Sequence, residues 1–98
     1  MIYNLSTKRR KMDSREYLEQ AIKIVRGPRE RDYGDKVTNH ENIAKLWSVF
    51  LDHEISAHNV AICMMLVKIA RIKHRPTEDC YLDMAGYAAI AGEINDKE

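Results

Sequence analysis

The chain has 98 residues, 32% of them charged, yet acids and bases nearly cancel at a net charge of +1. That balance gives no electrostatic case for nucleic acid, a membrane surface or acidic partners. Two cysteines are too few for a disulfide framework, and the longest apolar run, Val60 to Val67, is far short of the roughly 20 residues a membrane span needs.

Residues 1–12 show no clear period and carry the basic run Lys8-Arg9-Arg10-Lys11, so they are expected to form a flexible leader. The short apolar stretch Met1 to Leu5 runs at once into that basic run, which is not the pattern of a secretory signal. The basic run has no interleaved aromatics, and no later segment has the look of a recognition helix, so nucleic acid is disfavoured as a partner.

Residues 13–98 are expected to form a single helical domain. The first helix is predicted over Asp13–Arg26, with Asp13 and Glu16 as a capping pair and Leu18, Ala21, Ile22 and Val25 as its apolar stripe. Gly27 followed by Pro28 ends it, with Gly27 expected in the left-handed C-terminal position. A polar connection containing the turn Tyr33-Gly34-Asp35 leads to a second helix over Asn39–Asp52. Thr38 and Glu41 have capping-box spacing, and Ile43, Leu46, Trp47, Phe50 and Leu51 form the stripe.

Ser56 caps a third helix, Ala57–His74, which is apolar almost all round and therefore expected to be central or buried between subunits. Cys63 lies in its apolar run, the usual place of a small buried thiol, which suits a reducing cytoplasm. Pro76 stops the helix and Thr77 caps a fourth over Glu78–Ile94, after which Asn95 to Glu98 should fray. Ala85, Gly86, Ala88, Ala89, Ala91 and Gly92 let a neighbouring helix come close. The reading is an all-α compact bundle of about four helices. A bundle this small scarcely covers the apolar third helix and the small-residue fourth, so homo-oligomerisation over Met64, Met65, Ala88 or Ala89 is expected to complete it.

The last two helices carry the chemistry. Lys68, Arg71 and Arg75 share one helix face, and Asp79, Asp83 and Tyr87 share another. Folded back as a hairpin, they should set Arg75 level with Asp79, Arg71 with Asp83 and Lys68 with Tyr87. Two readings stay open: an ion-pair ladder that fixes the helix pairing, or the polar wall of a small-molecule site in which Lys68 and Arg71 meet phosphate. In the second reading Tyr33 or Tyr87 stacks on a ring. Asp35 or Asn39 reads its edge, and Asp79 or Asp83 takes a hydroxyl or amine. No zinc-type spacing joins the histidines and cysteines, and neither a P-loop nor a GxGxxG stretch is present. No catalytic or metal-ligating residue is assigned.

Tyr33-Gly34-Asp35, Asn39 and Ile43-Ala44-Lys45-Leu46-Trp47 resemble a small family of phage- and prophage-encoded proteins of unassigned function. So do Val60-Ala61, Leu66-Val67-Lys68-Ile69-Ala70-Arg71, then Asp79, Asp83 and Ala85-Gly86-Tyr87; together the blocks span Arg31 to Ile94. A looser likeness is to the all-helical MazG nucleotide pyrophosphatases, which hold magnesium with paired acids on successive helices. Here Glu41 is followed by Lys45, and Asp79 and Asp83 are four apart, so that acidic motif is incomplete. The phage-family resemblance implies a fold and not an activity. The MazG likeness implies nucleotide handling, and with the acidic motif incomplete the reading is a nucleotide or nucleotide-derived ligand bound without catalysis, in the bacterial cytoplasm and with no cofactor. The alternatives are an interaction module acting on a host or phage protein, and a variant MazG-like hydrolase, the one case that would need magnesium.

Overall fold

The computed structural model describes residues 11–25, 27 and 35–97. Its elements are four helices: α1 (Ser14–Val25), α2 (Lys36–Leu51), α3 (Ala57–His74) and α4 (Glu78–Lys97). The protein is all-α, as its sequence periodicity requires. The leader expected over residues 1–12, apart from Lys11 and Met12, lies outside the described residues, as do Tyr33 and Gly34.

Each helix start has a local cause. Asp13 Oδ1 accepts from the Glu16 backbone N–H at 2.9 Å, and Ser56 Oγ accepts from Asn59 N–H at 3.0 Å, both the expected caps. α2 begins three residues earlier than its sequence suggested. Asp35 is the N-cap, and its carboxylate accepts from both the backbone N–H and the hydroxyl of Thr38 (3.1 and 3.2 Å). Aspartate is the stronger capping residue, so Thr38 is drawn into the first turn as a donor and its capping box with Glu41 does not form. At the start of α4 the Thr77 hydroxyl donates to Cys80 Sγ at 3.3 Å, and its carbonyl accepts from Cys80 N–H at 3.1 Å.

The helix ends also differ from expectation. Gly27 does not take the left-handed conformation; its N–H reaches the Ile24 carbonyl at 3.3 Å in an ordinary turn. The left-handed position belongs to Asp52 (φ 51°, ψ 45°), which closes α2 by donating to the Ser48 and Val49 carbonyls. Ser48 holds this corner. Its hydroxyl donates to the Ala44 carbonyl (2.7 Å) and accepts from the Ile55 N–H (2.8 Å), tying the α2–α3 connection to the helix it leaves. α4 runs on to Lys97 instead of fraying at Asn95, and the 2.9 Å pair of Lys97 with Glu93 supports the last turn.

The central helix is α4. It packs most extensively on α3, then on α1, and touches α2, while α2 packs chiefly on α3. The main core joins Val37 and Ala44 of α2, Ala57 and Val60 of α3, and Ile90 and Ile94 of α4, with Trp47 and Tyr87 half-buried against it. α1 lies on another side of α4. There Val25 Cγ2 is 3.5 Å from where a Cβ on Gly86 would sit, and the Tyr17 and Tyr81 rings meet edge-on at 6.2 Å. Close helix approach through small residues therefore holds at Gly86, whereas Ala88, Ala89 and Gly92 are exposed.

Two expected apolar stripes are only partly buried. The inner face of α2 is Val37, His40 and Ala44, with Ile43 and Trp47 at its margin; Leu46, Phe50 and Leu51 face solvent, Phe50 at 87% exposure. Starting the helix at Lys36 adds Val37 to the face of His40 and Ala44 that meets α3 and α4, and among the described residues Leu46, Phe50 and Leu51 lie off that face. α3 is likewise buried at Ala57, Val60 and Ala61 but exposed at Ile62, Leu66, Val67 and Ile69, so it is not the central helix of the chain. Cys63 is exposed with that outer face, contrary to its expected burial, and Cys80 is the buried thiol.

Candidate functional site

All four helices contribute to one cavity of about 440 Å³. α2 supplies Lys36, Asn39 and His40 from its first two turns. α3 supplies Lys68, and α4 supplies Asp83, Gly86, Tyr87 and Ile90. Ile24 and Val25 of α1 close the apolar side. A few polar groups converging on an apolar wall is the usual make-up of a small-molecule site, and the volume lies in the usual range of roughly 300–1,000 Å³.

Of the eight residues singled out from the sequence, Asn39, Lys68, Asp83 and Tyr87 line this cavity. Arg71 and Asp79 do not. They line a neighbouring cavity of about 520 Å³ at the hairpin turn, beside His74, Arg75 and Thr77. Asp35 is committed to capping α2. The Thr38 backbone N–H, more than its hydroxyl or the Lys97 ammonium, holds the Asp35 carboxyl below its ordinary range. Tyr33 lies outside the described residues.

The charged ladder forms in a different register. Lys68 Nζ is 2.9 Å from Asp83 Oδ2, with the two side chains 13% and 32% exposed. Arg71 is exposed, and no ion pair joins it to Asp83 among the described residues. The midpoint of the hairpin explains the shift. α3 ends at His74 and α4 begins at Glu78, so the turn is centred on Pro76, with Arg75 extended before it. Lys68 is then level with Met84, next to Asp83, and the expected level with Tyr87 is most of a turn away. Lys68 and Asp83 line both cavities, which makes the pair the wall between them.

Lys36 and His40 are the polar cavity residues that sequence reasoning missed. His40 is 4% exposed, the buried polar side chain among the described residues. Its Nδ1 lies 2.8 Å from the Lys36 carbonyl oxygen, which can only accept, so Nδ1 carries the proton. Its ring meets Tyr87 edge-on at 6.0 Å. Nε2 is buried and has no hydrogen-bond partner among the described residues. The signal was present in the spacing: once α2 starts at Lys36, His40 falls three residues after Val37 and four before Ala44, on the buried face.

Among the described residues no three His, Cys, Asp or Glu side chains gather as metal ligands, and no helix is long and apolar enough to cross a membrane.

Residues 16–95 match the model of a family described as a domain of unknown function, DUF6378. The chain is similar to the Gene 55 protein of Mycobacterium phage D29, at 42% identity over 85 residues, covering 83% of this chain and 54% of that protein. It is similar also to the Gene 55 protein of Mycobacterium phage L5, at 41% identity over 75 residues, covering 74% of this chain and 48% of that protein. The chain thus spans about half the length of the curated relatives it matches. No solved structure matches it. These matches bear out the resemblance to phage-encoded proteins of unassigned function and lend nothing to the pyrophosphatase likeness. The chain belongs to the DUF6378 family.

Proposed function

We propose that the four-helix cavity binds a phosphate-bearing small molecule of nucleotide type, without chemical conversion. The observation that carries this is the meeting of two lysines, Lys36 and Lys68, with the acceptors of Asp83 and His40, the amide of Asn39 and the ring of Tyr87 around one apolar-backed space. Lysine offers phosphate a point charge with rotatable donors. Asp83 has an oxygen to spare for a hydroxyl or amine while it holds Lys68. Tyr87 supplies an aromatic surface, and Ile24, Val25 and Ile90 take the apolar part of the ligand. The host cytoplasm would be the setting. Calorimetry with nucleoside mono- and diphosphates and cyclic dinucleotides should detect one of them, and Lys68→Ala should weaken that binding with the helical circular dichroism kept. Failure of all of them at millimolar concentration defeats the reading.

A second reading, an interaction module, draws on a different feature. Leu46, Val49 and Phe50 are 70%, 82% and 87% exposed on one end of α2. A cluster of large apolar side chains in solvent is the mark of a docking surface. A second copy of the chain, or a host or phage protein, would be its occupant.

A further inference from the structure

The buried imidazole of His40 bears on what the cavity accepts. Its Nδ1–H is spent on the Lys36 carbonyl of its own helix. In the neutral ring the proton is then fixed at Nδ1, and Nε2 presents a lone pair. Nδ1 adjoins the carbon that joins the ring to the backbone; Nε2 is the distal nitrogen, on the side away from α2. The ring lines the cavity together with Tyr87, whose own ring stands edge-on to it at 6.0 Å. Nε2 itself is sealed off in this structure, so a ligand that bonds to it must displace a neighbouring side chain. Asn39, Lys68 and Asp83 also line that cavity, yet none of them meets Nε2. A buried acceptor left without a donor is costly, and Nε2 of His40 is such an acceptor.

We propose that His40 Nε2 is the specificity-determining acceptor of this cavity, and that its ligand is an anion carrying an N–H or O–H donor that His40 receives. This rests on the reading of the cavity as a nucleotide-type site and adds to it the polarity of one contact. Lys36 and Lys68 take the anionic end. His40 takes a donor, and a carbonyl placed there would set two lone pairs against each other. In a nucleotide the donor is either an exocyclic amine of the base or a sugar hydroxyl. Both have the same chemistry at Nε2 and can be separated by analogues. A site built around such a bond rejects the analogue lacking the donor far more strongly than a merely apolar pocket does.

Adenosine 5′-monophosphate would be titrated into the full chain by calorimetry, alongside its inosine, 2′-deoxy and 3′-deoxy counterparts and inorganic phosphate. The expected result is that one donor-deleted analogue binds on the order of tenfold or more weakly than the parent. In His40→Phe, which keeps the ring and deletes the acceptor, that difference should disappear. Should His40→Phe fail to fold, nitrogen-15 spectra of the wild-type imidazole decide. The Nδ1-protonated tautomer should be present without ligand, and the Nε2 resonance should move on saturation with adenosine 5′-monophosphate. Binding to wild type that His40→Phe leaves unchanged, equal affinity for all analogues, or an Nε2 resonance indifferent to a bound nucleotide overturns the role of His40 alone. No binding of any nucleotide to wild type overturns the site reading and this inference together.

Discussion

Lys68 Nζ and Asp83 Oδ2 stand 2.9 Å apart across the α3–α4 hairpin, and the two cavities lie on either side of them. The pair sits between the two limits for ion pairs, since Lys68 keeps only 13% of its side-chain exposure while Asp83 keeps 32%. Exposed pairs contribute about 0–1 kcal/mol, and breaking a buried one costs about 3–5 kcal/mol. Asp83→Ala leaves the better-buried ammonium without its carboxylate, so a loss of about 1–3 kcal/mol is expected. Arg71→Ala, on an exposed side chain with no rung to Asp83, should cost about 0–1 kcal/mol. Urea denaturation of both variants checks the order. A larger loss for Arg71→Ala would restore the register that the sequence suggested.

Asp35 gives the start of α2 a pH dependence with a definite sign. The Thr38 backbone N–H holds its carboxyl below the ordinary value of 3.8 in the folded chain. A group whose folded value is depressed stabilises the fold fully above its unfolded value, and that contribution fades as pH falls through the folded one. Melting temperature should therefore drop below about pH 4 in the wild type, and part of that drop should vanish in Asp35→Asn, which caps without ionising. Asp35→Ala should lower the melting temperature at neutral pH as well. Identical acid profiles for wild type and Asp35→Asn would show that the cap contributes no linkage.

The fold was legible wherever one local interaction decides an element. Ser56 and Asp13 cap as their spacing indicates, and α3 spans Ala57–His74 as read from Ser56 and Pro76. What misled was competition. Two capping residues, Asp35 and Thr38, lie three apart before α2, and only the folded chain shows which one accepts. The later start left Val37 out of the helix, and without it the stripe was drawn through Leu46 and Phe50, whereas the buried face runs through Val37, His40 and Ala44. At the site, Asn39, Lys68, Asp83 and Tyr87 were legible as polar residues set in apolar helices. Arg71 was not separable from Lys68, because helical periodicity gives a shared face but not the depth of each residue in a hairpin.

Gly86 makes a prediction that runs against the usual view of small-residue helix contacts. A Cβ built there would lie 3.5 Å from Val25 Cγ2, an ordinary van der Waals distance. Alanine therefore fits without moving α1, and it removes the flexibility that costs glycine about 1 kcal/mol inside a helix. Gly86→Ala should raise stability by about 0.5–1 kcal/mol. Gly86→Leu has no such room and should lift α1 from α4, which tryptophan-independent probes such as the Tyr17–Tyr81 ring contact would report by NMR. A destabilised Gly86→Ala would mean that α1 and α4 lie closer than this.

Self-association is the prediction with the largest surface behind it, though the face has changed. Met64 and Met65 are half-buried and Ala88 and Ala89 are small, so the residues first expected at an interface bring little area. Leu46, Val49 and Phe50 of α2 bring more, at 70%, 82% and 87% exposure, and Leu66 and Ile69 of α3 are also open. Large aliphatic and aromatic side chains left in water are each worth about 1.5–3 kcal/mol when fully buried, so three to five of them can sustain association once its entropy cost is met. The chain is expected to self-associate at high micromolar concentration, and Phe50→Lys with Leu46→Lys should return it to a monomer while circular dichroism keeps its helical form. Sedimentation showing a strict wild-type monomer would defeat the prediction, leaving the exposed end of α2 to a different protein. In that case the same two lysine substitutions should abolish capture of the partner, and nucleotide binding at the Lys68–Asp83 cavity should be untouched.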